Sequence, residues 1–347
     1  MGADGLGEAA RVLQTVRAGG LLGQDRHVVA MLSGGRDSVC LLDVAVQLLG
    51  APRVTALHVN YGLRVQSDAD ERHCVGLCAE LGVELSITRA DRVTVSPADS
   101  PPGDAPATPR RGREDAPDPA APVRGNTQAW ARDVRYRAAR ALAEQRDALI
   151  ATGHTASDQV ETILYRLAAS PGRRALLGMV ASDGTLVRPL LELTREQTAA
   201  YCQARGLQWC EDESNDSLQY ARARVRHGLL PALRAVHPAA EANVLRTAWL
   251  LREETELLDS LVAEELAGAE GIAIGRLGEL PAALARLVVV RLAEDAAGTY
   301  VPQAGARVQE ILALAGRGGR AELHVGGQAG AVIEDGVLRM VKLPPRA

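Results

Sequence analysis

The stretch HVVAMLSGGRDSVCLLDVAVQLLG, residues 27–50, decides the fold class of this 347-residue chain. Its first six residues, 27–32, form a nearly continuous apolar run, which is typical of a buried strand in a parallel sheet. A glycine-rich hexapeptide follows at residues 33–38. Beyond it, apolar residues recur at helical spacing up to Gly50, a residue type that commonly ends helices. The sequence therefore predicts a strand, a loop and a helix in succession.

The loop SGGRDS (residues 33–38) has the chemistry of a phosphate site. Its two adjacent glycines let the backbone approach a ligand closely, and the first turn of the following helix offers unpaired N–H groups. Ser33 and Ser38 add hydroxyl donors, whereas Asp37 would repel bare phosphate and suggests a nearby Mg²⁺ ion or substrate group. The loop matches neither GxxxxGKS nor GxGxxG. An ordinary turn capped by serines is the alternative, but the full pattern favours a loop that grips nucleotide phosphate.

The residues that follow alternate between strand and helix patterns. We predict strands at residues 53–60, 83–88 and 148–152, and helices at residues 67–82, 126–147 and 156–170. Units of this size in this alternation form a parallel sheet with helices on both faces. The sequence therefore predicts an α/β fold with a doubly wound parallel sheet.

Residues 91–124 interrupt this alternation. They hold eight of the chain's 17 prolines, with aspartate, alanine and arginine between them. A segment of this composition buries too little apolar surface to offset its ordering entropy. We expect a disordered surface insertion between a strand and a helix. The alternative is a mobile flap beside the active site, because loops at the carboxyl ends of strands border ligands in such sheets.

The pattern changes after Arg188. Thr194 and Gln197 form a T-x-x-Q capping signal ahead of a helix that ends near Gly206. From residue 216 to about residue 316 we expect mostly helix. The dipeptide Asp335-Gly336 lies between two apolar runs and is a strong type I′ hairpin signal. We therefore predict two domains, a first one over residues 1–215 and a mostly helical second one over residues 216–347 that ends in a β-hairpin.

Composition and charge exclude some classes of protein. The formal net charge of −4 neither demands nor forbids a nucleic-acid partner, so a polyanion binder of this composition must gather its cations locally. The first residues lack the basic run and apolar core of a secretory signal, and no apolar run reaches the length of a membrane span. Five scattered cysteines fit the reducing cytoplasm. His73, Cys74 and Cys78 share one helical pattern, and we expect core packing there rather than a metal site.

The hexapeptide SGGRDS resembles the pyrophosphatase loop of the N-type ATP pyrophosphatases, the PP-loop superfamily. Further segments resemble blocks of the tRNA(Ile)-lysidine synthetase family, and they occur in that family's order. They are HVNYGLR (58–64), ARDVRY (131–136), GHTASDQVET (153–162), RPL (188–190), EDESN (211–215) and RVRHGLLP (224–231). Each of these blocks is weak alone, but the ordered set is highly specific. The resemblance covers residues 25–260 well and includes the terminal hairpin more weakly.

The resemblance implies an adenine nucleotide alpha hydrolase-like fold and an ATP-dependent ligase that forms a carbon–nitrogen bond. Members attach lysine to C2 of the first anticodon cytidine in a tRNA(Ile) whose anticodon reads CAU. ATP first adenylates the C2 oxygen with release of pyrophosphate, and the ε-amine of lysine then displaces AMP. The product, lysidine, changes the tRNA from methionine to isoleucine identity and its codon from AUG to AUA. The implied partners are ATP, Mg²⁺, L-lysine and this tRNA, and a homodimer is one alternative for the assembly.

The resemblance also implies roles for individual residues, with residues 1–215 as the PP-loop catalytic domain and residues 216–347 as the tRNA-binding one. Asp37 and Asp158 are the expected catalytic residues, and Asp37 is also the expected Mg²⁺ ligand. Asp158 and Glu161 are three residues apart on a predicted helix, so they share a face and could receive the lysine ammonium. Arg132 is the further residue expected to bind substrate, through the nucleotide or the RNA near the reacting cytidine. The expected ATP-binding residues are Ser33, Gly34, Gly35, Arg36, Asp37, Ser38, His58, Gly153 and His154. The expected tRNA-binding residues are Arg64, Arg135, Arg222, Arg224, Arg226 and His227.

Each of these assignments has a plainer alternative. The acidic pair could be a solvated helix face, and Arg132 and Arg135 could form surface salt bridges. The cationic stretch at residues 222–234 could be a solvated charged helix. His154 could be a structural histidine as readily as part of a nucleotide site.

Four positions depart from the family's pattern. Tyr61 stands where the family usually has His, and Ala223 replaces a common Asn. Thr155 and Ser157 replace His and Asp in the family's GHHADDQ block. The lost carboxylate at Ser157 motivates an alternative function, a degenerate tRNA- or nucleotide-binding protein without catalysis. A tRNA thiolase of the same superfamily is a further alternative, but that chemistry resembles a family with paired C-x-x-C motifs, which this sequence lacks.

Overall fold

The computed structural model of the chain describes residues 3–23, 25–62, 66–90, 127–169, 172–211 and 221–344. These residues belong to two compact units, Met1–Arg246 and Thr247–Ala347. The expected insertion at residues 91–124 and the predicted domain boundary near residue 215 lie outside the described residues. Over the described ranges, no helix is long and apolar enough to cross a membrane.

A six-stranded sheet lies at the centre of the first unit, in the order β3-β2-β1-β4-β6-β5. Its strands are β1 (His27–Met31), β2 (Val54–Asn60), β3 (Glu84–Arg89), β4 (Ala148–Ala151), β5 (Ser182–Asp183) and β6 (Leu186–Val187). All neighbours pair in parallel except β5, which runs antiparallel to β6. The four predicted strands are present. The β5–β6 pair was not predicted, because strands of two residues carry no periodic signal.

Helices cover both faces of this sheet. The helices up to residue 236 are α1 (Ala3–Ala18), α2 (Arg36–Leu49), α3 (Ser67–Leu81), α4 (Thr127–Gln145), α5 (Ala156–Ala169), α6 (Arg173–Leu176), α7 (Arg195–Arg205), α8 (Ala221–Arg224) and α9 (Leu230–Val236). A π-helical turn, Val225–Leu229, joins α8 to α9, and Ala51–Arg53 forms a 3₁₀ turn before β2.

The two faces of β1 build two separate cores, because successive side chains of a strand point to opposite sides. Val28 and Ala30 belong to a buried cluster with residues of α1, α2, α3 and α7. Val29 and Met31 belong to another cluster, with Tyr136 and other residues of α4. Both faces of the strand are therefore buried, which explains its continuous apolar run and confirms the doubly wound sheet.

The strand order places a crevice between β1 and β4. The chain leaves β1 through α2 on one face of the sheet and enters β4 from α4 on the other face. The loops that follow these two strands therefore diverge at the carboxyl edge of the sheet. In open α/β sheets this reversal of strand order is where ligands bind.

Helix α7 is fixed against α2 by two of its side chains, Tyr201 and Arg205, which both bind the buried Asp43 of α2. The Asp43 side chain is fully buried, and its Oδ2 accepts hydrogen bonds from the Tyr201 hydroxyl at 2.6 Å and from Arg205 Nε at 2.9 Å. At the start of α7, Gln197 N donates to Thr194 Oγ1 and Thr194 N donates to Gln197 Oε1, which confirms the predicted capping box. Both ends of α7 are thus held.

The second unit combines helices with an antiparallel sheet. Its helices are the C-terminal part of α10 (Ala240–Leu266), α11 (Ile274–Glu279), α12 (Ala282–Ala297) and α13 (Val308–Ala315), with a 3₁₀ turn at Pro302–Arg307. Its strands are β7 (Gly271–Ala273), β8 (Ala321–Gly326), β9 (Ala329–Glu334) and β10 (Val337–Lys342), in the order β7-β10-β9-β8. Val288 and Val289 of α12 lie at the centre of its core and are fully buried.

The predicted hairpin is confirmed as β9 and β10. Glu334 pairs with Val337 across the turn, and Asp335 and Gly336 both have positive φ angles, of 53° and 74°, as a type I′ turn requires. The hairpin is the middle of a four-stranded sheet rather than an isolated terminal element. β7 escaped prediction because it has only three residues, and its pairing with β10 joins positions far apart in sequence.

Candidate active site

The loop after β1 adopts a conformation that requires glycine at its first turn. Gly34 has a φ of +86°, in a region that residues with a Cβ rarely adopt. Its carbonyl oxygen accepts a hydrogen bond from Cys210 N at 2.9 Å, and a Cβ at this position would lie 3.5 Å from Cys74 Sγ. The loop is therefore fixed from behind, and its other side faces the crevice.

The two serines of the loop bond mainly to the loop itself. Ser38 is buried; its hydroxyl donates to Gly35 O at 2.7 Å and accepts from Ser33 N at 3.1 Å. The Ser33 hydroxyl oxygen lies 3.1 Å from Ser38 Oγ. The hydroxyl proton of Ser38 is thus already used in the hydrogen bond to Gly35 O. The backbone N–H groups at the start of α2 are therefore the better donors for an anion.

The loop after β4 packs directly on the start of α2. A Cβ on Gly153 would lie 2.9 Å from Asp37 O and 3.2 Å from Ser38 N, so glycine is required by close approach. The next residue, His154, places Nδ1 2.8 Å from Thr152 Oγ1. The two segments singled out from sequence, 33–38 and 153–154, therefore form one surface.

Arg195 joins three carboxylates that come from two helices. Its Nη2 lies 2.5 Å from Asp158 Oδ1, its Nη1 lies 2.8 Å from Glu161 Oε1, and its Nε lies 3.8 Å from Asp37 Oδ2. Asp37 Oδ1 also accepts hydrogen bonds from Thr198 Oγ1 at 2.5 Å and from Arg36 Nε at 3.1 Å. We call Asp37, Asp158 and Glu161 the carboxylate cluster.

Arg226 completes the charge balance of this cluster. Its Nε and Nη2 bind the two oxygens of Glu161 at 2.7 and 3.0 Å, a bidentate pair. Three carboxylates thus face three guanidiniums, those of Arg36, Arg195 and Arg226. The acidic pair predicted to be open to a substrate cation is already neutralised by the protein.

Asp158 has a second, structural role at the start of α5. Its Oδ2 accepts hydrogen bonds from Thr155 N and Thr155 Oγ1, both at 2.8 Å, and its own N–H donates to Thr155 Oγ1 at 3.4 Å. This reciprocal arrangement is a capping box. Thr155, a departure from the family pattern, therefore orients Asp158, and the other departure, Ser157, accepts a hydrogen bond from Arg195 N at 3.3 Å.

Burial and nearby charges set the protonation states here. Burial acts to raise the pKa of Asp158, but the Arg195 charge and the Thr155 hydrogen bonds outweigh it and leave that pKa below its ordinary value. Burial lowers the pKa of His154 to about 4, and the charges of Arg188, Arg135 and Arg132 act in the same direction against the opposing charge of Asp158. At neutral pH the imidazole of His154 is therefore uncharged and Asp158 is ionised.

The arginines near His154 form a cationic wall, which we define as Arg132, Arg135 and Arg188. The guanidinium carbons of Arg132 and Arg135 lie 4.7 and 5.8 Å from the ring centre of Tyr136. Within the described part of the chain, the buried Nε atoms of Arg135 and Arg188 have no hydrogen-bond partner. Buried donors of this kind are normally paired, so an anionic ligand would provide the hydrogen-bond acceptors that these two Nε atoms lack.

A cavity of about 540 Å³ connects these features. Its polar lining comes from the loop after β1, the segment after β4, Arg135 of the cationic wall, the arginine partners of the carboxylate cluster and the segment after α7. These residues are Ser33, Gly35, Arg36, Asp37, Ser38, Arg135, Thr152, Gly153, His154, Arg195, Glu211 and Arg226. Its apolar and aromatic lining is Met31, Leu32, Leu57, Val59, Tyr61, Tyr136 and Trp209, with Cys210. Concave sites with this mixture suit a ligand that has a flat ring at one end and charge at the other.

A profile of the PP-loop domain family matches residues 8–233. The chain belongs to the PP-loop family. Membership in this ATP-binding family implies the use of ATP, and it agrees with the phosphate chemistry predicted for the loop. The match spans the sheet, the cavity and the carboxylate cluster, all of which lie in the first unit.

Curated relatives identify one group of PP-loop proteins to which this chain is similar. The PP-loop chain is 35% identical over 276 residues to the tRNA(Ile)-lysidine synthase of Pseudomonas fluorescens (strain Pf0-1), which covers 78% of this chain and 55% of that protein. It is 36% identical over 277 residues to the tRNA(Ile)-lysidine synthase of Azoarcus sp. (strain BH72), covering 76% and 54%. The chain thus spans about half the length of the curated relatives it matches.

A solved structure shares the fold. The U34-tRNA thiolase NcsA from Methanococcus maripaludis, solved with its [4Fe-4S] cluster, superposes with a TM-score of 0.52 at 16% identity. The superposition covers 71% of this chain and 79% of that one. At this identity the likeness confirms the PP-loop fold and nothing about the reaction.

The structure brings together most of the residues predicted for the PP-loop site, although Gly34, Arg132, Asp158 and Glu161 are not in the cavity lining itself. His58 is an exception: it is buried, and its Nδ1 lies 3.0 Å from Leu32 O, so it supports the loop from behind and is not part of the cavity lining. Arg226 was predicted to contact tRNA, yet it binds Glu161 inside the site. Arg222, Arg224 and His227 are exposed on α8 and the π-helical turn, and Arg64 lies outside the described residues.

Sequence reasoning missed three residues of the site. Arg195 and Thr198 lie on one face of α7, three residues apart, and both reach the carboxylate cluster. Trp209 lines the cavity from the segment after α7. The sequence did signal the start of α7, because the capping box places Arg195 in its first turn, but nothing local showed that this turn meets α2 and α5.

Proposed function

We propose that this PP-loop chain ligates lysine to C2 of the first anticodon cytidine of a CAU-anticodon tRNA(Ile), at the expense of ATP. One observation carries the proposal: the phosphate loop with Asp37, the arginines Arg195 and Arg226 that bind the carboxylate cluster, and Arg135 of the cationic wall line one cavity in a chain similar to tRNA(Ile)-lysidine synthases. The partial coverage of those relatives makes the full activity a proposal for this chain. The cytoplasmic location of the protein and its oligomeric state remain predictions.

The loop and the cationic wall suit the adenylation step. The C2 oxygen of cytidine attacks the α-phosphorus of ATP, the bond between the α- and β-phosphates breaks, and pyrophosphate leaves. The amides at the start of α2 would hold the pyrophosphate portion, with Gly34 and Gly35 allowing its close approach. Arg135 would neutralise charge that develops on the phosphates, since positioning and electrostatics dominate this kind of transfer. The apolar lining, Trp209 included, would accept the adenine ring.

A Mg²⁺ ion fits this site only in combination with the phosphates. No group of three or more His, Cys, Asp or Glu side chains within the described residues could hold a metal by itself. Mg²⁺ commonly binds through one or two carboxylates together with substrate phosphates. Asp37 fits that pattern, because it lines the cavity at the start of α2. When bound, the ion would neutralise phosphate charge.

The carboxylate cluster suits the second step. The ε-amine of lysine attacks C2, the bond between C2 and the oxygen breaks, and AMP leaves with that oxygen. Each carboxylate has about four acceptor positions, so Asp158, whose side chain is 21% exposed, can add an ammonium donor while it keeps its arginine partners. Glu161 is only 3% exposed, keeps its two arginine partners and adds negative charge beside Asp158. Asp158 is ionised, so its charge would hold the lysine ammonium, whose proton passes to solvent as the nitrogen becomes a nucleophile.

The test is a reconstituted reaction with ATP, Mg²⁺, labelled lysine and CAU-anticodon tRNA(Ile). Incorporation of lysine into the tRNA, with release of AMP, supports the proposal. Tight tRNA binding with no incorporation would instead identify a degenerate binder, the alternative motivated by Thr155 and Ser157. A parallel reaction that replaces lysine with a sulfur donor tests the thiolase alternative, and sulfur transfer there would overturn the ligase.

A further inference from the structure

We infer that Arg195 is a positioning residue of the PP-loop site, which holds the three carboxylates of the cluster in one fixed arrangement. The inference rests on the proposed ligation, in which Asp37 acts at the phosphates and Asp158 with Glu161 at the lysine amine. Arg195 itself is assigned no contact with a reacting atom. Its role is to hold the carboxylate from α2 at a fixed position relative to the two carboxylates from α5.

The three nitrogens of the Arg195 guanidinium point at three different carboxylates. Nε faces Asp37, Nη1 faces Glu161 and Nη2 faces Asp158. A planar guanidinium has fixed donor directions, so one orientation of Arg195 sets the relative places of all three groups. A lysine ammonium at the same position is a point charge and cannot satisfy the three directions at once.

The backbone of Arg195 is held firmly enough for this role. Its N–H donates to Ser157 Oγ at 3.3 Å, and the capping box of Thr194 and Gln197 surrounds it. One turn further on, Thr198 donates to Asp37 Oδ1. The side chain is only 22% exposed, so the ion pairs are shielded from water and screened less than surface pairs.

Arg226 does not duplicate this arrangement. It binds Glu161 closely, its Nη2 is 3.9 Å from Asp158, and it forms no ion pair with Asp37 among the described residues. Arg36 pairs with Asp37. Among the described residues, Arg195 alone pairs with every carboxylate of the cluster, so its loss should uncouple the phosphate end of the site from the amine end.

The experiment compares Arg195→Lys and Arg195→Ala with wild type and with Arg205→Lys, a control on the same helix that disturbs the structural pair with Asp43. The measurements are kcat, the KM for ATP, the KM for lysine and the Kd for tRNA. We expect kcat to fall about a hundredfold in both Arg195 variants, because small misplacements of reacting groups cost that much. The KM for ATP and the Kd for tRNA should change by less than about threefold in both variants. Arg205→Lys should lose thermal stability and keep its kcat.

Added guanidinium ion gives a second readout, because it can enter the space left in Arg195→Ala and restore part of kcat there but not in wild type or Arg205→Lys. Near-normal kcat in Arg195→Lys, or a loss confined to tRNA or ATP binding, would overturn the inference. If wild type itself forms no lysidine, the proposed function fails instead. In that case a crystal structure of Arg195→Ala decides the positioning role separately, since unmoved side chains of Asp37 and Asp158 would contradict it.

Discussion

Gly153 and Asp37 touch across the crevice of the sheet, with no room for even one additional carbon between them. A Cβ on Gly153 would lie 2.9 Å from the Asp37 carbonyl oxygen and 3.0 Å from its carbon. The segment after β4 is therefore part of the floor of the phosphate loop after β1. This contact explains how two motifs more than a hundred residues apart act as one site.

Gly153→Ala should disturb this floor. The new methyl group meets backbone rather than a flexible side chain, so α2 or the segment after β4 must shift, at a cost of about 1–3 kcal/mol in the free energy of unfolding. ATP affinity should fall as well, because the amides of α2 move. Gly76→Ala on α3 is the matched control, since a Cβ there meets nothing within 4 Å. Calorimetric titration with ATP and thermal melts check both; unchanged ATP affinity in Gly153→Ala would refute the shared floor.

Asp37→Asn should abolish AMP formation while the protein still folds. The amide keeps the size of Asp37 and can still accept from Thr198, but it loses the charge that a Mg²⁺–phosphate complex requires. We expect a loss of at least about a hundredfold in the rate of AMP release. Turnover close to that of wild type would remove Asp37 from the mechanism. Thr198→Val is a useful companion, because it removes one of the two hydrogen bonds to Asp37 Oδ1 without removing the charge.

The arginines of α8 and of the π-helical turn should separate into two classes. Arg222 and Arg224 are exposed, so replacing each with Gln should weaken tRNA binding and reduce the slope of log Kd against log salt by about 1 per contact. Arg226 binds Glu161, so Arg226→Gln should lower kcat and leave the salt slope nearly unchanged. Filter binding over a range of salt concentrations measures the slope. The same slope change in all three variants would contradict the assignment of Arg226 to the active site.

His154 should make the protein less stable in mild acid. Its pKa is lowered from 6.5 to about 4, chiefly by burial, so the unfolded chain takes up a proton in this interval before the folded protein does. Stability therefore falls as the pH drops from about 6.5 to about 4, by about 2–3 kcal/mol for this group. His154→Gln should show a smaller decrease over the same interval. Denaturant titrations at several pH values test this, and parallel curves for the two proteins would count against a buried neutral imidazole.

The sequence predicted the parts of the fold that depend on local pattern. The apolar run of β1, the capping box at Thr194 and the type I′ turn at Asp335-Gly336 each leave a signal within a few residues, and all three are confirmed. The phosphate loop was equally predictable from sequence, because a pair of glycines between a strand and a helix has few roles other than close approach to a ligand.

The details of the site were less predictable because they depend on long-range pairing. Arg195 meets Asp158 and Asp37 across separations of 37 and 158 residues, and no periodicity in α7 indicates those partners. Arg226 was assigned to RNA because it lies among other cations, whereas the fold turns it toward Glu161. Which of several arginines lies inside a site depends on how α5, α7 and the π-helical turn pack, which sequence spacing does not reveal.

The products formed from ATP give the most direct test of the proposed ligation. With CAU-anticodon tRNA(Ile), lysine and Mg²⁺ present, each lysine that enters the tRNA should be accompanied by one AMP and one pyrophosphate, with neither ADP nor free phosphate as a primary product. Omission of lysine should leave an adenylated tRNA and no AMP burst. Formation of ADP and phosphate, or AMP release without lysine in the tRNA, would contradict the account.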